Sequence, residues 1–195
     1  ALMCGTTRAQ HTPLTSQYLF NGLLINPAYA GSRDAFAANL TWRQQWVGFQ
    51  GAPVTQVLSL HSPIKRSRVA MGILLVNDRI GVSRETGFLT NYAYRIPFRK
   101  GKLQLGFGAG VSLLQADWTS LAVQDRNDTQ FASDTRGSIR PNFSTGVFYY
   151  KKLFFIGASM PFIMSHRFDA QRQIWTIGTE RAQQQPMITG GYIWK

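Results

Sequence analysis

The chain predicts an all-β fold, an antiparallel transmembrane barrel, on three observations. From Lys102 to Leu113 the residues alternate almost without a break, with Leu103, Leu105, Phe107, Ala109, Val111 and Leu113 on one face. Gln104, Gly106, Gly108, Gly110 and Ser112 occupy the other, because a strand turns successive side chains to opposite sides. A row of glycine, serine and glutamine suits a crowded or wet barrel interior whose outside meets lipid. Second, no apolar run reaches the roughly 20 residues that a membrane-spanning helix needs. Third, short basic turns alternate with long polar loops, the asymmetry of outer-membrane barrels.

Composition agrees. Of 195 residues, 44% are hydrophobic and only 15% charged, against about a quarter charged in ordinary chains. The net charge of +12 would point to nucleic acid in a soluble protein. Here the cations are scattered, and the clusters Lys65-Arg66-Ser67-Arg68 and Arg99-Lys100-Gly101-Lys102 fall at expected turns. They read as solvated turn charges first, as partners of anionic lipid headgroups second, and as nucleic-acid contacts last.

The elements follow in order. Residues 1–9 read as the remainder of a secretory signal peptide, cut after Ala9, which would remove the single Cys4 and leave no disulfide. Residues 10–33 lack strand periodicity and read as an irregular plug or rim segment. The barrel domain is expected over 34–195. Strands are expected at 36–47, with Phe36, Ala38, Leu40 and Trp42 outward, then at 54–62, 69–76 and 87–98. Further strands are expected at 102–113, 142–150, 153–162 and 186–194. Polar loops are expected at 117–141 and 165–185. Eight strands are enough to close a small barrel.

The N-terminal motifs are specific. Gln17-Tyr18-Leu19-Phe20-Asn21 and Ile25-Asn26-Pro27-Ala28-Tyr29-Ala30-Gly31-Ser32 are followed by Trp42-Arg43-Gln44-Gln45-Trp46. Gly51-Ala52-Pro53-Val54-Thr55-Gln56, Leu58-Ser59-Leu60-His61-Ser62-Pro63 and Asn77-Asp78-Arg79-Ile80-Gly81 continue the pattern. Together they closely resemble the PorP/SprF family, outer-membrane proteins of the type IX secretion system and gliding machinery of Bacteroidetes. Members of that family are usually longer, so the eight strands read either as a small barrel or as part of a larger one.

The resemblance implies a non-catalytic outer-membrane component that anchors or docks other proteins. Its implied partners are other type IX components, including periplasmic cell-wall-linked proteins, and secreted proteins held through their C-terminal domains. Outer-membrane lipid is a further partner, and nucleic acid is not expected. Docking is expected along 11–32, with Asn26, Pro27, Tyr29 and Gly31 as candidate residues, and in the two polar loops. The alternative is a porin-like transport channel, lined by Asn39, Arg43, Gln45, Asn91, Arg95 and Gln104. Against it, Leu74, Val76, Phe148, Phe155 and Trp194 are expected to fill the interior.

Other chemistry finds little support. His61 beside Ser62, and His166 beside Ser165, cannot act as nucleophile and base merely by adjacency, since strand neighbours point apart. Trp42, Arg43 and Trp46 read as interfacial aromatics around an inward arginine rather than a ligand cage. Asp125, Asp128 and Asp134, with Asn127, lack the spacing of a calcium loop. No catalytic residue, metal or cofactor is expected.

Overall fold

The structure is a computed structural model that describes residues 20–120, 134–169, 174–178 and 185–194. The expected signal remnant and Cys4 lie outside these residues, as do Asp125 and Asp128. Ten strands form. They are β1 (Ala37–Gln44), β2 (Val54–Pro63), β3 (Val69–Ile80), β4 (Ser83–Phe98), β5 (Gly101–Ala116), β6 (Thr135–Lys151), β7 (Phe154–Met160), β8 (Ser165–Asp169), β9 (Ile174–Gly178) and β10 (Met187–Tyr192). The order β1-β2-β3-β4-β5-β6-β7-β10 builds one antiparallel sheet that curls into a half-barrel, while β8 and β9 pair separately.

Each expected strand has its counterpart; β1, β7 and β10 are shorter than expected, and the strands that run longer share one cause. The β3–β4 hairpin runs on through Asn77–Ile80 and Ser83–Thr86, and β6 starts at Thr135 rather than at Asn142. The expected loop 117–141 is shorter by those residues, and the expected loop 165–185 contains the β8–β9 hairpin. Strand pairing depends on backbone hydrogen bonds and continues past the apolar belt, where side chains turn polar on both faces. Alternation of hydrophobicity therefore marks only the middle of such strands.

Register aligns the outer face into rows. Leu40, Leu58, Leu75, Phe88 and Val111 stand side by side across β1 to β5. Val69, Tyr94, Leu105, Val147, Ala158 and Ile188 form another row across β3 to β10. From Phe88 to Ile96 is eight residues, about 27 Å along a strand at ~3.4 Å each. Tilting brings that span close to the roughly 25 Å apolar band of an outer-membrane barrel. Most of these side chains are exposed in the isolated chain, which is how a lipid-facing surface presents itself. Next to this belt, Asn77 links Gln56, Arg84 and Thr86 in a polar outer row.

The inner face is where burial concentrates: Val57, Ser59, His61, Ala70, Leu74, Asn91, Ala93, Gln104, Ser144 and Phe148 are buried. Trp194 is a correction, since it follows the outward parity of Ile188 and Tyr192 and is 87% exposed. Strands β1 and β10 do not pair with one another, so these eight strands leave the sheet open. An eight-stranded barrel has room for side chains or one small ligand, whereas this interior holds a length of backbone.

Candidate functional site

That backbone is residues 20–34. Two single 3-10 turns, Gly22–Leu24 and Pro27–Tyr29, fold it into a compact knot against the inner face. Its polar contacts and close approaches reach β2, β3, β4, β5, β6 and β7. Six adjacent strands span about 24 Å on a flat sheet. Coiled in two tight turns, the segment reaches them all because the sheet curls around it.

Asn26 starts the second turn. Its Oδ1 accepts from the Ala28 N–H at 2.9 Å, and Pro27 occupies the first turn position, where no N–H is needed. The same carboxamide donates through Nδ2 to the Val147 carbonyl of β6 at 3.1 Å. The inner glycines make room for this. A Cβ on Gly106 would lie 2.0 Å from the Ala28 nitrogen, and one on Gly146 would lie 2.2 Å from Asn26 Oδ1. Gly106 and Gly146 are direct partners across β5 and β6. The small face of β5 is thus a floor for packed backbone.

Tyr29 fixes the next step. Its ring meets His61 and Phe148 edge-on, with centroids at 5.6 and 5.4 Å, and leans over Gly22. Gly31 then turns the chain with φ of +69°, a region open to glycine at little cost. Its N–H donates to His61 Nδ1 at 3.1 Å, an acceptor role that puts the ring proton on Nε2. Gln104, fully buried, donates through Nε2 to the Ala30 carbonyl at 3.3 Å. Arg95 donates through Nη2 to the Gly31 carbonyl at 2.6 Å and pairs through Nη1 with Asp34 at 2.7 Å. Lys102 reaches the other Asp34 oxygen at 2.5 Å.

The site is a tethered segment, held by backbone capture from the inner side chains of the sheet. A family model described as type IX secretion system membrane protein PorP/SprF matches residues 7–195. The chain belongs to that family. No curated protein and no solved structure matches it at a significant level. As a PorP/SprF protein it is a membrane component of the type IX secretion system.

The structure brings Asn26, Pro27, Tyr29 and Gly31 together on this segment, with Asn26, Pro27 and Gly31 buried and Tyr29 half-buried. Arg95 and Gln104 need correction as channel-lining residues, since both donate to the segment's carbonyls. Asp34, His61 and Lys102 join them only in the folded structure. For His61 and Lys102 the only sequence signal was polarity on an otherwise small or apolar face; Asp34 stands before β1 and carried none.

The remaining candidates of this PorP/SprF protein stay apart. His61 faces inward, while Ser62 lies on the other face and donates to the Pro63 carbonyl. Trp42 and Trp46 are exposed, and Arg43 lies on the opposite face of β1 from Trp42. Asp134 accepts from the N–H and hydroxyl of Thr119, which ties the base of its loop. Among the described residues, no three His, Cys, Asp or Glu side chains gather as metal ligands would. The side chains of Ser165 and His166 lie outside the described set.

Proposed function

We propose that this PorP/SprF protein is a non-catalytic docking component in the outer membrane. Its apolar belt stands in lipid, and its irregular segment and polar loops hold periplasmic wall-linked partners and the C-terminal domains of secreted proteins. The observation that carries this reading is the tethered segment. A sheet that devotes Arg95, Gln104, His61 and the inner glycines Gly106 and Gly146 to holding a peptide backbone is organised around that peptide. Docking along residues 11–32 relies on the shape set by Asn26, Pro27, Tyr29 and Gly31.

Crosslinking and pulldown from native outer membranes tests the proposal, with an affinity tag between residues 121 and 133. Recovery of a secreted protein's C-terminal domain or a wall-binding partner is expected. Recovery of the folded protein alone, together with steady conductance in a planar bilayer, would favour the channel alternative, for which Asn39, Arg43, Gln45 and Asn91 are the remaining polar candidates.

A further inference from the structure

Antiparallel order places the β2–β3, β4–β5 and β6–β7 turns at one end of the sheet. Those turns carry Lys65, Arg66 and Arg68, then Arg99 and Lys100, then Lys151 and Lys152. The described acids Asp78, Glu85, Asp117 and Asp134 gather at the opposite end, and Asp34 is paired with Arg95 and Lys102. One rim is therefore strongly cationic, and it borders the apolar belt directly.

On this rim the β4–β5 turn shapes a cleft of about 450 Å³, lined by Phe98, Arg99, Lys100, Leu103 and Tyr149. The three apolar members belong to the outer face: Phe98 is 55% exposed, and Leu103 pairs across to Tyr149 in register. Gly101 shapes the wall. A Cβ there would lie 2.5 Å from the Tyr149 hydroxyl, so the glycine lets the ring lie against the turn. The result is an open, largely apolar depression on the outer face with two cations among its lining residues. A phosphate at Arg99 and Lys100 with an acyl chain over Phe98 and Leu103 satisfies both halves, as neither a soluble anion nor a neutral lipid would.

The geometry points to a binding site for an anionic phospholipid in this cleft. Short turns face the periplasm in outer-membrane barrels, so the ligand comes from the inner leaflet. The inference rests on the lipid-facing reading of the belt and goes beyond it, because ordinary annular lipid needs no particular headgroup.

Native mass spectrometry of the full-length protein, released from detergent with phosphatidylglycerol, phosphatidylcholine or lipid A, tests the site. Retention of phosphatidylglycerol over phosphatidylcholine is expected. The double variant Arg99→Gln with Lys100→Gln should weaken that retention about tenfold, and Leu103→Gln should weaken it with the rim charge intact. Lys65→Gln with Arg66→Gln removes equal charge from another turn and should leave it unchanged. Equal losses from both pairs would reduce the site to general rim charge and overturn the inference. Preference for lipid A would overturn the phospholipid assignment. If the protein inserts into vesicles yet shows no headgroup preference, the inference fails while the membrane reading stands. If it stays soluble without detergent, both fail.

Discussion

Arg95 and Asp34 meet Nη1 to Oδ1 at 2.7 Å, and the same guanidinium donates to the Gly31 carbonyl three residues earlier. One side chain on β4 thus closes the turn by which the inner segment leaves the half-barrel and enters β1. The ion pair is half open to solvent on the Asp34 side, with side-chain exposures of 18% for Arg95 and 48% for Asp34. Its charge contribution is accordingly discounted to about 1 kcal/mol. The carbonyl bond is better protected and geometrically specific.

Asp34→Asn should therefore loosen the segment's exit by about 1 kcal/mol and leave the strands intact. Arg95→Gln loses the carbonyl bond as well and should cost about 2–3 kcal/mol. Hydrogen exchange at residues 22–34 measures both. Equal protection in the two variants would show that the carbonyl bond contributes nothing.

Gly106→Ala is expected to displace the segment. The added methyl falls on the backbone nitrogen of Ala28, which cannot rotate away as a side chain can. Overpacking of this kind costs about 1–3 kcal/mol. Gly146→Ala meets the Asn26 carboxamide instead, so it should first break the bond to the Val147 carbonyl. A cysteine placed at Tyr29 should become thiol-reactive in Gly106→Ala. Unchanged reactivity would mean that the segment does not rest on β5.

Gly31→Ala suffers twice. Its φ of +69° is strained for any side chain, by about 1–2 kcal/mol, and its Cβ would lie 2.4 Å from Ala70 Cβ. Adding Ala70→Gly removes the second penalty and leaves the first. The double variant should thus recover part of the lost unfolding stability, and full recovery would argue against backbone strain.

Phe107→Arg introduces a charge into the middle of the outer belt and should destabilise the protein by about 2–4 kcal/mol in a bilayer. Asn77→Lys, in the polar outer row, loses the Oδ1 acceptor of Arg84 and Thr86 and should cost about 1 kcal/mol, less than a charge in the belt. Urea unfolding in vesicles, followed by the heat-dependent gel shift of folded barrels, reads both. A benign Phe107→Arg would mean that this face meets water.

The alternation of β5 pointed to the fold class and to which of its faces turns outward, because period two is a local property of an extended chain. Leu105, Phe107 and Val111 needed no partner to be read correctly. The run Asn26-Pro27-Ala28-Tyr29-Ala30-Gly31 likewise announced an irregular turn, since Pro and Gly restrict backbone angles wherever they stand. Other features depended on register. The polar ends of β3, β4 and β6 are strands because neighbouring strands satisfy their backbone, which side-chain hydropathy does not record. The glycines Gly106 and Gly146 looked like a wet or crowded lining, and only the fold placed Ala28 and Asn26 on them. His61, Arg95, Lys102 and Gln104 are up to 43 residues apart in sequence, and all reach residues 30–34. Curvature of the sheet brought them together, and no local pattern encodes that convergence.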